Sequence, residues 1–143
     1  MGIAYEYVES DNLLVVVWHR PVSGTDWAAF ARQRIADDPS WPTGTRLIAD
    51  ITTVDPSSLN PKDVETIVAM FQERAHNLAG VKLAIIAADG WQLAVEFEHH
   101  VDRLGSTTIV FNDVEGACGW LGLDPSSTRN VIRTLRMGLS QPR

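Results

Sequence analysis

Cysteine is nearly absent from this 143-residue sequence, which contains only Cys118. A single cysteine excludes an internal disulfide and favours a reducing compartment. Long apolar runs are lacking too, because none approaches the roughly 18 residues that a membrane-spanning helix needs. The first six residues carry neither a basic region nor a long apolar run, so no signal peptide is expected. We therefore expect a cytoplasmic protein of bacterial type that is not embedded in a membrane.

Clustered positive charge is also lacking. The chain has 12 Lys and Arg against 18 Asp and Glu, a net charge of -6, and no three basic residues are adjacent. This balance repels nucleic acid, so no nucleic-acid partner is expected. Hydrophobic content of 45% and charged content of 21% are typical of a soluble globular protein. The length and the lack of any linker predict one domain over residues 1–143.

Motifs for catalysis and cofactor binding are missing. The sequence has no Gly-x-x-x-x-Gly-Lys-Ser/Thr phosphate loop, no Gly-x-Gly-x-x-Gly and no Gly-x-Ser-x-Gly elbow. Asp50, Asp55 and Asp89 fall at predicted strand ends, where carboxylates can do acid–base work. Loop capping explains them as well, and no base–nucleophile pair is visible. We therefore expect a non-enzymatic protein without a cofactor, and we keep an enzyme that uses these aspartates as a distant alternative.

Metal-binding patterns are similarly incomplete. On a helix Glu96 would face His99 and His100, a spacing that can bind a metal. A structural site normally has four ligands, however, and the sequence has no second pair such as Cys-x-x-Cys. A solvated polar face is the favoured explanation, and no metal is expected. Cys118 is predicted to be a small buried apolar residue, because nothing nearby would activate its thiol.

Alternating and continuous apolar segments predict five strands, at residues 3–8, 13–18, 46–52, 81–87 and 107–111. Helices are predicted at residues 26–37, 61–78 and 91–104, after Asp113, and at 126–139. Strands 13–18 and 47–51 are apolar on each face, so we expect them in the centre of the sheet. Helical crossovers join parallel neighbours, so the fold class is α/β. We predict a mixed five-stranded sheet with an N-terminal hairpin and helices packed on it.

Residues 46–64 are the stretch around which we expect the fold to be organised. A buried strand ends at Asp50, and the loop after it leads to a helix with Asn60 as N-cap and Pro61 in the first position. Open α/β sheets place their sites at the carboxyl ends of strands. Ser57 and Ser58 lie in this loop, which makes it the first candidate site.

The element order, with Leu-Ile-Ala-Asp50-Ile and then Ser57-Ser58-Leu59 before a helix, resembles STAS domains, in particular the SpoIIAA-like anti-sigma-factor antagonists. It is more similar still to bacterial proteins described as STAS/SEC14-like. In these, a Val-Phe-x-Asp strand end precedes a short helix that closes in Trp-Leu, here Ile109-Val-Phe-Asn-Asp113 and Gly119-Trp120-Leu121. The resemblance covers residues 1–123 and implies a SpoIIAA-like core, with an extra C-terminal helix at about 126–139.

This resemblance implies a regulatory role for the loop. In antagonist STAS proteins the loop reads Asp-Ser-Ser-Gly-Leu-Gly and a partner kinase phosphorylates one serine; here it reads Asp55-Pro-Ser-Ser-Leu-Asn60. It implies a regulatory or protein-interaction domain that acts through residues 55–64 on an unidentified protein partner. Ser57, Ser58, Asp50 and Asp55 are the candidate phosphorylation or interaction residues. The alternative is that they only make turn and cap hydrogen bonds.

Five tryptophans are many for this length. Trp41 and Trp91 fit no core stripe, so they are candidate contacts for an apolar ligand or a partner helix; the alternative is ordinary core and rim packing. The second functional hypothesis is thus a small carrier that binds an apolar or lipid-like ligand between helices and sheet, as the SEC14 comparison implies. The sequence leaves open the ligand, the partner and a homo-oligomer.

Overall fold

The computed structural model describes residues 2–33, 44–73, 80–101 and 105–140. Within them one sheet has the strand order β1-β2-β3-β4-β5. Strands β1 and β2 form an antiparallel hairpin, and the remaining neighbours pair in parallel. This is the predicted mixed sheet. The strands are β1 (Ile3–Val8), β2 (Leu13–Arg20), β3 (Arg46–Val54), β4 (Lys82–Ile86) and β5 (Thr107–Phe111).

Helices cover both faces of the sheet. Three of them connect the parallel strands and pack on one face, and the last two follow β5 and pack on the other. The fold therefore has three layers, with a separate apolar core on each side of the sheet. The helices are α1 (Gly24–Ala31), α2 (Pro61–Glu73), α3 (Trp91–Val101), α4 (Val114–Leu121) and α5 (Pro125–Ser140).

The inner position of β2 and β3 follows from their two apolar faces. In β2, Leu14 and Val16 join the core under α1–α3, and Val15 and Val17 join the core under α4 and α5. Strand β3 alternates in the same way and lies between β2 and β4. The prediction that residues 13–18 and 47–51 are central is confirmed.

Several element boundaries differ from the prediction. Helix α1 begins at Gly24 rather than at residue 26, because Ser23 and Asp26 form a capping box around its first turn. Strand β3 continues to Val54, so Asp50 lies inside the strand and the expectation of a strand end there is wrong. Helix α5 runs through Gly138 to Ser140. The predicted helix ends at 34–37, 74–78 and 102–104 lie outside the described residues.

The strand order also bears on where a ligand can bind. Open α/β sheets hold ligands at the point where the strand order reverses. Here the spatial order repeats the chain order, so the sheet has no such reversal.

Candidate functional site

The loop 55–60 is held by hydrogen bonds between its own residues. A side-chain oxygen of Asp55 accepts bonds from the backbone N–H of Ser57 at 3.0 Å and from its hydroxyl at 2.7 Å. These bonds lower the pKa of the Asp55 carboxyl. The Ser58 hydroxyl donates to the Asp55 carbonyl at 2.6 Å and accepts from the Val22 N–H at 3.1 Å. Both serines thus make turn and cap hydrogen bonds, which is the alternative to a role in phosphorylation or interaction.

The start of α2 is already occupied by a carboxylate. Asn60 accepts a hydrogen bond from the Asp63 N–H, and the Asp63 carboxylate accepts one from the Asn60 N–H, both at 3.0 Å. This reciprocal cap confirms the predicted helix start. Because Asp63 places negative charge at the N-terminus of the helix, the position where a phosphate would otherwise bind is electrostatically satisfied.

Asp50 has partners on the opposite side of the sheet. Its side chain is only 4% exposed and pairs with Arg136 of α5, with 2.7 Å between Oδ2 and Nη2. Its other oxygen accepts bonds from the backbone N–H and hydroxyl of Thr52, at 2.9 and 2.7 Å. Among the described residues no hydrogen bond joins Asp50 to the serine loop. The structure therefore does not bring Asp50 together with Ser57 and Ser58.

A polar cluster extends this contact along α5. The imidazole of His19 lies 2.9 Å from the Thr53 hydroxyl and 3.1 Å from the Ser140 hydroxyl. A bulge after Val17 shifts the register so that Thr53 stands opposite His19. Burial and the positive charges of Arg20 and Arg136 lower the pKa of His19. The cluster fastens the C-terminal half of α5 to the ends of β2 and β3.

Sequence reasoning missed this cluster, although one signal was present. Ile132, Leu135 and Leu139 form the inner stripe of α5, and Arg136 falls within that stripe. A charged residue on the apolar face of a helix needs a buried partner of opposite charge. Asp50, inside an otherwise apolar strand, is that partner.

An apolar cavity of about 80 Å³ lies between the sheet and helices α1–α3. Its floor includes Val16, Ala49 and Ile85, which are direct neighbours across β2, β3 and β4. Ala49 has much the smallest side chain of the three, and Ala94 of α3 adds a second small side chain to the lining. The cavity therefore exists where two alanines stand in a layer of larger residues.

Aromatic rings form much of the remaining wall. The Trp27 ring packs edge-on against Trp18, with centroids 5.1 Å apart, and lies 5.5 Å from Phe97. Of the described residues that line the cavity, all but Ser106 and Thr108 are apolar and none is charged. Such a lining suits a small hydrophobic molecule.

The other candidate residues lie apart from the cavity or outside the description. Trp91 opens α3, is 39% exposed and does not line the cavity, and Trp41 is outside the described residues. His99 and His100 are exposed near the end of α3. Cys118 is buried, which raises the pKa of its thiol. In the part of the chain that the structure describes, no three His, Cys, Asp or Glu side chains are grouped to hold a metal.

Comparison with protein-family models, curated proteins and solved structures gives no match for this chain. None of the described helices combines the length and the apolar character needed to cross a membrane. Function has to be inferred from the fold and from the two features that distinguish its faces, the cavity under α1–α3 and the polar cluster under α5.

Proposed function

We propose that the protein is a non-enzymatic, STAS-like domain that binds a small apolar ligand between α1–α3 and the sheet. The observation that supports this is the cavity beside Ala49. Protein interiors are close-packed and contain few voids larger than a water molecule. The side chains of this layer leave a cavity of about 80 Å³ unfilled. A ligand that fills it would recover dispersion contacts that the empty protein lacks.

The proposed action is to hold the ligand away from water, as a carrier or a sensor does. Each Å² of apolar ligand surface removed from water contributes about 25 cal/mol. The aromatic wall formed by Trp18, Trp27 and Phe97 adds ring contacts that favour a ligand with a flat or flexible apolar body. The proposed function includes no reaction step, and the described residues of the lining are apolar apart from Ser106 and Thr108.

Native mass spectrometry of freshly purified protein tests the proposal. We expect either a small neutral mass that leaves on denaturation, or an empty protein that binds added toluene and changes the fluorescence of Trp18 and Trp27. An Ala49→Val variant, which adds two methyl groups to the cavity floor, should bind toluene more weakly. The proposal fails if no mass is retained and toluene changes neither fluorescence nor thermal stability.

A second candidate function is protein interaction through residues 55–64. It is favoured by the exposure of Asp55, Ser57 and Asn60 in a loop whose conformation is fixed by its own hydrogen bonds. A phosphate on Ser57 would stand beside the Asp55 carboxylate to which this hydroxyl now donates, so we expect it to open the loop by repulsion. Such a change could release or admit a protein partner.

Single Ser57→Asp and Ser58→Asp variants, used as bait in the native host lysate, test this second function. We expect Ser57→Asp to change the captured proteins, with Ser57→Ala as the uncharged control. Ser58→Asp perturbs the bond to the Val22 N–H, so thermal melts have to accompany it. If all variants capture the same proteins and the host protein yields no phosphopeptide from this loop, the second function is contradicted. The serines would then serve only to cap the turn.

A further inference from the structure

We infer that the ligand of this cavity is an uncharged molecule, with an apolar body and at most one neutral hydrogen-bonding group. The inference rests on the proposed function, and it narrows the ligand class. It comes from the described residues that line the cavity, none of which is charged, and from the position of two hydroxyl side chains among them, Ser106 and Thr108.

An ionised ligand would meet no opposite charge among the described residues that line the cavity. Moving a carboxylate or an ammonium group out of water without an opposite charge is far more costly than moving a neutral amide or hydroxyl. Asp50 and Arg136, the buried ion pair of the described structure, lie on the other face of the sheet and use their charges on each other. A carboxylate anion is therefore a poor ligand, even where its hydrocarbon part is compatible with the apolar lining.

The hydroxyl groups indicate which end of the cavity takes the polar part of the ligand. Ser106 and Val81 immediately precede β5 and β4, so they mark the end where these strands begin. Trp18, Ile51 and Leu93 line the opposite end, which is wholly apolar. We thus place the neutral polar group beside Ser106 and Thr108, and the apolar body towards Trp18.

Ser106 can turn towards a ligand at small cost. Its hydroxyl donates to the Val101 carbonyl over 3.4 Å, at the long limit for such a bond. Both Ser106 and Thr108 are buried, so a hydrogen bond to a ligand there would be shielded from water. One hydroxyl or amide on the ligand is matched by this pair of side chains.

Six-carbon probes of matched shape test the inference that the ligand is uncharged. We measure binding of hexanamide, hexan-1-ol and hexanoate at pH 8 by calorimetry, with toluene as the apolar reference. Hexanamide and hexanoate have nearly the same shape and differ in charge, so we expect hexanoate to bind at least about tenfold more weakly. Ser106→Ala should weaken hexan-1-ol more than toluene, and the isosteric Thr108→Val gives a second test if Ser106→Ala does not fold. Gly119→Ala is the surface control, because a Cβ there meets no atom within 4 Å.

The outcomes separate this inference from the proposed function. If toluene and hexanamide bind and hexanoate does not, the inference stands. If hexanoate binds as tightly as hexanamide, or if neither Ser106→Ala nor Thr108→Val distinguishes hexan-1-ol from toluene, the inference is overturned while the apolar site remains. If none of the four probes binds to the folded protein, the proposed function itself fails.

Discussion

Arg136 is the residue on which the seating of α5 depends most directly. It uses a single nitrogen, Nη2, for both Asp50 and Thr52, and its buried Nε has no hydrogen-bond partner among the described residues. The ion pair is therefore monodentate, and it is weaker than a bidentate arginine–carboxylate pair. Its importance comes from burial, since Asp50 would otherwise be a charge without a partner inside the sheet.

Replacing Arg136 by Met tests this directly. A buried pair that loses one partner typically costs about 3–5 kcal/mol; the Arg136 side chain is 30% exposed, so water can reach it and we expect about 2–3 kcal/mol. Urea unfolding measures the change. The double variant Asp50→Leu with Arg136→Met removes both charges and should recover most of the loss. A cost below about 1 kcal/mol for Arg136→Met alone would show that water already solvates Asp50.

His19 predicts how stability depends on pH. Burial and the charges of Arg20 and Arg136 hold its pKa below the ordinary value of 6.5, so the unfolded chain takes up a proton more readily than the folded one. The contribution of His19 is thus fully present above pH 6.5 and is lost as the pH falls through the lowered pKa. In urea unfolding between pH 8 and 5, we expect the wild type to lose more stability than His19→Gln. If stability falls equally with pH in both proteins, His19 does not contribute to the pH dependence. If it falls less in the wild type than in His19→Gln, the pKa of His19 is raised by folding rather than lowered.

At the scale of single elements, local patterns predicted most of what the structure contains. The alternation of Ile3–Val8 predicted a strand, the apolar run of β2 predicted an inner one, and Asn60 with Pro61 predicted the start of α2. Each of these depends on residues within one turn or one strand of each other. Caps and periodicity are therefore readable without tertiary information.

The candidate site could not be predicted in the same way, because it depends on distant residues. Ala49 and Ala94 line one cavity from a strand and a helix 45 positions apart, and neither alanine is unusual in its own element. Asp50 and Arg136 are 86 positions apart. Only packing of the helices on the sheet makes these pairs neighbours. The hydrogen bond that Ser58 accepts from the Val22 N–H could not be predicted for the same reason, because it joins two loops that are distant in sequence.

Helix α2 offers a test of the core above the cavity. Phe71 is 4% exposed, lines the cavity and meets the Phe97 ring edge-on at 5.9 Å. Phe71→Ala should cost roughly 3–5 kcal/mol, because it removes buried apolar area and enlarges the cavity that Phe71 lines. Chemical denaturation measures the loss, and Gln72→Ala, at the exposed next position, is the control. A shift below about 1 kcal/mol for Phe71→Ala would mean that α2 presents another face to the sheet.

At the scale of the whole molecule, the two faces of the sheet are built differently. Under α4 and α5 the core includes Ala84, Ala117 and Cys118, each with no exposed surface, and an ion pair fastens the last helix. Under α1–α3 the core contains more aromatic rings and lines the cavity. This asymmetry is the reason for assigning the proposed function to one helix layer only.

The same asymmetry yields a matched pair of substitutions. Ala49→Val and Ala84→Val add identical groups to neighbouring strands, but Ala49 borders the cavity and Ala84 belongs to the other core. Overpacking a filled core costs about 1–3 kcal/mol, which we expect for Ala84→Val. Ala49→Val fills existing space, so its stability should be unchanged or higher by up to about 1 kcal/mol.

Urea unfolding with and without toluene measures both effects in one experiment. Toluene that binds only the folded state raises its stability by RT ln(1 + [toluene]/Kd). We expect this increase in the wild type and in Ala84→Val, and a smaller one in Ala49→Val because the added methyl groups occupy the ligand's space. If Ala49→Val instead loses as much stability as Ala84→Val, the floor beside Val16 and Ile85 is already filled. The ligand would then have to bind elsewhere, and the exposed loop at residues 55–64 would become the stronger functional candidate.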